Sequence, residues 1–260
     1  MHGTHQEPGE TILLHHFDDL GQQKDTSSLG MWAFLATEVM FFGGLFGAYV
    51  IYRNQNLDAF VAASRFLNVT LGAFNTGVLL CSSLTMAMAV HAAQLRQDKK
   101  VPPLLVATLI LGSIFLGIKA YEWHVDYKEH LVPGIDFNWE EAQKTHGHHE
   151  PADAVKPMAG MESSRQSADP QVNPGTEITA TTDPGKAQVF FLLYFMMTGL
   201  HAFHMVIGIV IVGLTAYLSW RGWFSGGGET QIEMVGLYWH FIDVVWVFLY
   251  PLLYLIDVRK

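Results

Sequence analysis

The sequence predicts an all-α, polytopic membrane protein: five transmembrane helices in one bundle, with a long, mostly irregular loop between helices three and four. Half of the 260 residues are hydrophobic and only 15% are charged. Five apolar stretches are each long enough to cross the ~30 Å hydrocarbon layer of a bilayer. None of them alternates polar and apolar residues as a transmembrane β-strand does, so helices are the class that fits.

Charges or clusters of proline and glycine bound each apolar stretch. The predicted spans run from Leu29 to Tyr52, Phe66 to Ala93, Pro103 to Trp123, Gln188 to Trp220 and Val235 to Ile256. The second and fourth exceed the ~20 residues that a crossing needs, so we expect these helices to tilt or to extend into water. The predicted organisation is a polar N-terminal tail over 1–28, helices one to three within 29–124, a loop over 125–186, and helices four and five within 187–260.

The segment 125–186 differs from the rest of the chain in composition. It contains eleven acidic and five basic residues, a formal net charge of −6, and a low-complexity centre with several prolines. Such a segment buries too little apolar surface to offset its chain entropy, which predicts a mostly irregular extramembrane loop. Its more apolar stretch HLVPGIDFNW is expected to pack against the membrane surface.

Charge and cysteine content exclude several classes of partner and cofactor. The chain has 24 acidic and 15 basic residues, and no basic run is long enough to neutralise successive phosphates, which argues against nucleic-acid binding. Cys81 is the only cysteine, so this chain alone forms neither a disulfide nor a cysteine-based metal site. The basic cluster RQDKK after the second span favours a cytoplasmic N-terminus and an outside C-terminus.

Ionisable side chains inside the spans are the main functional signal, because such a group near a helix centre costs roughly 2.5–3.5 kcal/mol on insertion scales. The candidates are Glu38, His91, His201, His204, His240 and Asp243. A buried Glu38 either hydrogen-bonds a neighbouring helix or takes part in proton transfer, and the sequence leaves both open. His201 and His204 are three residues apart on one face of a helix, and such a pair more often joins helices than holds a metal or haem.

A second group of polar residues lies near predicted helix ends: Lys119, Glu122, His124 and Arg53. Snorkelling to the lipid headgroups explains them, and a specific lipid site at Trp32, Arg53 and Glu122 is the alternative. The stretch HGHHE, residues 146–150, contains metal-ligand types. In an acidic, irregular loop we expect it to be solvated, and we predict no metal site.

Four stretches together resemble one known family: LGMWAFLATEVMFFGGLFGAYVIYR, KAYEWH, FFLLYFMMTGLHAFHMVIGIVIVG and GLYWHFIDVVWVFLYPLLYL. They are similar to subunit III of the haem-copper respiratory oxidases, the cytochrome c oxidases and their quinol-oxidising relatives. The patterns T-G-x-H-x-x-H and Y-W-H-F-x-D-x-V-W are the specific part, and the resemblance covers about three quarters of the chain. It is to the five-helix bacterial form, which lacks the first two helices of the seven-helix form.

The resemblance implies a subunit of the bacterial plasma membrane with no catalytic residue and no redox cofactor of its own. Haem and copper belong to the partner catalytic subunit, subunit I, which reduces oxygen to water and pumps protons. Subunit III packs beside it, stabilises it, supports its proton uptake and holds structural phospholipid. On that match Glu38 takes the place of the family's membrane-embedded, carbodiimide-reactive carboxylate. The helix-packing polar positions are taken by His201, His204, His240 and Asp243.

Two other classes remain open from the residues alone. A membrane electron carrier would clamp a haem between two histidines at equal depth, but at 1.5 Å per residue His204 and His240 differ in depth by about 12 Å. A proton-coupled transporter would be expected to show internal repeats or interrupted helices, and neither is visible. The sequence does not decide whether the parent enzyme oxidises cytochrome c or quinol.

Three further expectations concern contacts. We expect Glu38 to be protonated or hydrogen-bonded at neutral pH, with His91 favoured over His240 as its partner because consecutive antiparallel helices usually pack side by side. Small residues are expected to let helix backbones approach closely, both within the bundle and against the catalytic subunit: Gly43, Gly44, Gly47, Gly208 and Gly213. The acidic loop is either a docking surface for cytochrome c or an upstream complex, or an inert or partner-ordered linker.

Overall fold

The computed structural model describes residues 20–134, 137–139, 141–142, 183–223 and 229–255. Within these ranges there is no β-strand, and six helices have eight or more residues. They are α1 Leu20–Gln55, α2 Leu57–Ser64, α3 Val69–Gln94, α4 Val101–Lys128, α5 Pro184–Trp220 and α6 Glu229–Tyr254. All except α2 are long and apolar enough to cross a membrane. The predicted class, with five transmembrane helices, is confirmed.

The first helix begins nine residues before the predicted start at Leu29. Its early polar residues fit a helix because the hydroxyls of Thr26 and Ser27 donate to the carbonyl oxygens four residues earlier, at 2.8 and 2.9 Å. The 36 residues of α1 make a helix about 54 Å long, well beyond the ~30 Å layer. The polar first turns of α1 therefore extend into water.

Side-chain caps set the starts of α3 and α5. The Asn68 side chain accepts a hydrogen bond from the Leu71 amide at 3.0 Å, so α3 begins at Val69 and not at the predicted Phe66. Asp183 accepts one from the Gly185 amide at 3.0 Å, and a proline occupies the first position of α5. These signals are local in sequence, but the apolar windows alone do not contain them.

Helix α2 is an element that the sequence analysis missed. It is only eight residues long and too short to cross a membrane. It follows α1 after one residue and buries Phe60, Ala62 and Ala63, packing mainly against α5. The short helix thus links the end of α1 to the core without a membrane crossing.

Helices α3 to α6 form the tightly packed part of the bundle. Helix α3 lies against α4 and α6, and α5 lies against α4 and α6. Half of the most apolar window of α6 is buried, but only 17% of that of α1. Helix α1 packs on α5 and α6 through a narrow stripe in which Leu35, Phe42 and Tyr49 recur every seven residues.

Helix α4 continues to Lys128, so the first residues of the predicted loop 125–186 are helical. Beyond it, Leu131 and Trp139 are buried, and the Trp139 ring lies 5.1 Å from that of Phe66. The stretch HLVPGIDFNW therefore packs partly against the chain's own helices, where the sequence analysis expected the membrane surface. The low-complexity centre of the loop and the HGHHE stretch at 146–150 lie outside the described residues.

Candidate functional site

Glu38 lies near the middle of α1, at the edge of its packed stripe. Its side chain is 19% exposed, and its Oε2 lies 3.2 Å from Nε2 of His204 on α5. The His204 ring is fixed on its other side, where Nδ1 lies 2.8 Å from the Leu200 carbonyl oxygen. The Phe42 ring packs beside it at 5.4 Å. An ionisable pair thus joins the loosely packed α1 to the core.

The hydrogen bonding fixes the histidine tautomer. A carbonyl oxygen only accepts, so Nδ1 carries the hydrogen and Nε2 faces the carboxyl group. Within the part of the chain that the structure describes, Oε2 of Glu38 makes no hydrogen bond of good angular geometry, although Nε2 of His204 is within ion-pair distance. A proton between the two atoms can lie on the carboxyl or on the imidazole, and both arrangements leave the pair with no net charge. The pair can therefore hold one proton inside an apolar environment.

The prediction that His91 is the partner of Glu38 is wrong. His91 is exposed at the end of α3, and the contact is made by His204 instead. The prediction relied on consecutive helices packing side by side, but α1 packs on α5 and α6. The short α2 and the packing of α3 against α4 and α6 displace α3 from α1.

His201 shares a helix face with His204 but faces a different neighbourhood. It is 1% exposed and packs between the rings of Phe115 at 5.7 Å and Trp246 at 5.1 Å. Neither ring nitrogen has a hydrogen-bond partner within the described residues. Its packing among α4, α5 and α6 agrees with a helix-joining position.

His240 and Asp243, the two candidates on α6, both face α3. Nδ1 of His240 lies 2.7 Å from the Ser83 hydroxyl, which also interacts with the Asp243 carboxylate. Asp243 is 3% exposed, yet its oxygens make no hydrogen bond of good geometry within the described residues. These residues form a second polar connection between helices, in which Ser83 was not among the predicted candidates.

The most extensive polar cluster is built around Lys119. Its Nζ donates to Glu122 at 3.0 Å, to Tyr194 at 3.0 Å and to Tyr254 at 2.6 Å. Tyr254 donates to Glu122, and Tyr194 lies 3.3 Å from both Glu122 and Asp126. Lys119 is 1% exposed, and its ammonium lies 4.9 to 5.3 Å from three aromatic ring centres. This buried cluster joins α4, α5 and α6.

The snorkelling interpretation of Lys119 and Glu122 is therefore wrong, because both groups are turned into the bundle. The spacing of Lys119, Glu122 and Asp126, at i, i+3 and i+7, puts them on one face of α4 and could have indicated a shared cluster. The other two residues of the predicted lipid site are more exposed: Trp32 is 59% exposed and Arg53 is half-buried. Lipid contact by Trp32, Arg53 or Glu122 stays a prediction.

The glycines fall into two groups. An added Cβ at Gly208 would lie 3.1 Å from Ile242 and 3.2 Å from Trp239, so this position does permit close packing. An added Cβ at Gly43, Gly44 or Gly47 would meet nothing within 4 Å. Within the described residues these α1 glycines do not serve close packing, contrary to the expectation for the bundle.

The tightest glycine positions in the bundle were not predicted. An added Cβ would lie 2.7 Å from Trp239 at Gly112, 2.7 Å from Val90 at Gly236 and 2.8 Å from Tyr250 at Gly72. In each case a side chain of a neighbouring helix fills the space that a Cβ would occupy. Facing partners of this kind are not visible in the sequence.

The described residues contain no group of three or more His, Cys, Asp or Glu side chains that could hold a metal ion. The histidines that a haem would need are engaged elsewhere. His204 contacts Leu200 and Glu38, and His240 contacts Ser83. The arrangement does not favour the haem-carrier alternative.

Comparisons with known proteins agree with the resemblance seen in the sequence. Residues 179–258 match the family model described as cytochrome c oxidase subunit III. The chain is 24% identical to cytochrome c oxidase subunit 3 of Thermostichus vulcanus, over 98% of both chains. It is 26% identical to cytochrome c oxidase subunit 3 of Alkalihalophilus pseudofirmus, over 88% of this chain and 86% of the relative. Quinol oxidase subunit 3 of Bacillus spizizenii is 28% identical, over 87% and 85%.

Proposed function

Since this chain belongs to the subunit III family of the haem-copper terminal oxidases, we propose that it stabilises the catalytic subunit and supports proton uptake while that subunit reduces oxygen to water. It is a multi-pass membrane subunit that associates with other oxidase subunits. The single observation that carries the proposal is the Glu38–His204 pair, at 3.2 Å. It is an ionisable pair within two apolar spans, beside a face of α1 that the described residues leave open.

The proton role rests on the chemistry of that pair. Nδ1 of His204 is engaged by the Leu200 carbonyl, so proton exchange is confined to Nε2 and the Glu38 carboxyl. Because the protonated pair is neutral in either form, holding the proton avoids the cost of an isolated buried charge. Releasing or taking up that proton changes the charge of the site by one. A pair with these properties acts as a proton buffer beside a proton-pumping subunit.

The stabilising role rests on the exposed face of α1. Met40 is 78% exposed and Phe41 54%, and the nearby Gly43, Gly44 and Gly47 leave open space. Lipid and protein neighbours are equally apolar, so a partner helix gains most where small residues allow close approach. The proposed neighbour at this face is subunit I.

We place the N-terminus in the cytoplasm, the C-terminus outside and the protein in the bacterial plasma membrane. The basic residues after α3 support this orientation. Haem and copper are assigned to the partner catalytic subunit, in keeping with a family that is not itself a metal or haem binder. The relatives include subunits of both cytochrome c oxidases and quinol oxidases, so the electron donor is left open.

The test of the proton role is Glu38→Gln in the intact oxidase complex. An infrared difference spectrum between native and variant protein is expected to show a protonated or hydrogen-bonded carboxyl near neutral pH, and proton uptake during turnover is expected to slow. Asp58→Asn, on the short α2, is a matched control and should change neither. If oxygen consumption and proton pumping are the same in Glu38→Gln and native complexes, Glu38 only packs helices.

The acidic loop has two proposed roles of equal standing. Its net charge of −6 would attract a basic electron carrier such as cytochrome c on the outer side, an effect that salt weakens. Alternatively it is a linker, inert or ordered by a partner. Deleting Ala152 to Thr182 distinguishes them, because only the docking role predicts weaker salt dependence of oxidase kinetics.

A further inference from the structure

A groove at one end of the bundle is separate from the site described above. It has a volume of about 590 Å³ and lies between the start of α4 and the end of α5. Both helices are long and apolar enough to cross a membrane, and the start of α4 and the end of α5 meet at the groove. Its lining changes from the charged Asp98 and Lys99 to the apolar Val106 and Trp220, a change that is typical of the boundary between the hydrocarbon layer and the lipid headgroups.

The water-facing end of the groove is charged. Asp98, Lys99 and Ser219 contribute to its lining, and Lys100 follows next in the chain. Both lysines are exposed, and neither forms an ion pair within the part of the chain that the structure describes. Prolines occupy the first turn of α4 and have no N–H, so an anion here is bound by lysine ammonium groups more than by backbone amides.

The membrane-facing end of the groove is apolar. Pro102, Val106 and Trp220 line it, and Trp220 is 80% exposed, as expected for a tryptophan at a membrane interface. Further along the same two helices, Ile110 and Leu214 are 54% and 59% exposed. An apolar track thus continues from the groove into the hydrocarbon layer.

We propose that this groove binds one anionic phospholipid whose headgroup carries free hydroxyl groups, as in phosphatidylglycerol. Lys99 and Lys100 attract the phosphate, and an acyl chain lies along Val106 and Trp220. Asp98 sets the headgroup chemistry, because its carboxylate accepts hydrogen bonds from hydroxyl groups but repels the additional charge of a phosphate monoester. The site is distinct from Trp32 and Arg53 on α1 and does not depend on the proposed proton role.

The test uses the full chain in nanodiscs of phosphatidylcholine, with tryptophan fluorescence as the readout. Phosphatidylglycerol brominated near the top of its acyl chains is expected to quench more strongly than brominated phosphatidylcholine at equal mole fraction. Lys99→Gln/Lys100→Gln should lower this preference about tenfold or more, given the usual contribution of each basic residue near a membrane surface. Trp220→Phe should remove the lipid-specific part of the quenching.

A matched variant distinguishes a specific lipid site from general attraction of anionic lipid to exposed lysines. Lys24→Gln/Lys128→Gln removes two exposed lysines elsewhere and should keep the preference for phosphatidylglycerol. Asp98→Asn should reduce discrimination against brominated phosphatidic acid, and excess inorganic phosphate at constant ionic strength should not compete. If both double variants behave alike, if phosphate alone competes, or if Trp220→Phe leaves the specific quenching unchanged, the proposal is overturned.

Discussion

Helices α1 and α4 have similar ingredients but serve different purposes. Each is a long apolar span that carries one glutamate and at least two glycines. In α4, Glu122 is bound by a lysine and a tyrosine, and Gly112 is filled by Trp239. In α1, Glu38 contacts His204, and within the described residues an added Cβ at Gly43 would meet no atom within 4 Å. The same residue types hold the chain together in α4 and are left available to a neighbour in α1.

The largest effect is expected from removing the cation of the α4 cluster. Lys119→Met leaves Glu122 and Asp126 buried without a counter-charge, which should cost about 3–5 kcal/mol of unfolding free energy. Thermal unfolding of the complex in detergent, monitored as the loss of this subunit, measures the change in stability. Lys119→Met/Glu122→Gln should recover part of the loss. Equal stability of native and Lys119→Met protein would mean that the cluster does not join the helices.

Replacing each glutamate by glutamine compares α4 and α1 directly. Glu122→Gln leaves Lys119 with a weaker acceptor and should cost about 1.5–3 kcal/mol, the usual value of a hydrogen bond to a charged group. Glu38→Gln should cost less, because the amide still reaches His204 and its surroundings are partly open. Denaturation of both variants in the same detergent tests the order. A larger loss in Glu38→Gln would contradict the comparison.

The glycines give a third contrast. In Gly112→Ala the new Cβ lies 2.7 Å from Trp239, whose indole is buried and donates to Ser82 at 3.1 Å. The ring cannot move aside cheaply, so we expect a loss of about 1–3 kcal/mol. The Cβ of Gly43→Ala meets no atom of the described residues within 4 Å, so this variant should be neutral or slightly stabilising in the isolated chain. Similar losses in the two variants would remove the distinction.

A bulky residue on the open face of α1 is expected to have the smallest effect on the stability of the chain itself. Its effect should appear in the complex. Gly43→Leu or Gly47→Leu should leave the unfolding of the isolated subunit unchanged and reduce its retention on the catalytic subunit during mild-detergent purification. Gly117→Leu, at another glycine with open space, is the matched control. Full retention of both α1 variants would show that these glycines are not at an interface.

The local sequence determined the class, the five spans and most of the polar residues that the structure brings together. Uninterrupted apolar runs are a property of the chain itself, and in a bilayer each such run must satisfy its own backbone hydrogen bonds as a helix. The partner of Glu38, the burial of Lys119 and the facing residue at each glycine were decided only by the tertiary structure. They depend on which faces of distant helices meet, and Glu38 and His204 are 166 positions apart in the chain. Consecutive helices were expected to pack side by side, but α2 lies between α1 and α3 in the chain, and α1 packs on α5 and α6 instead of on α3.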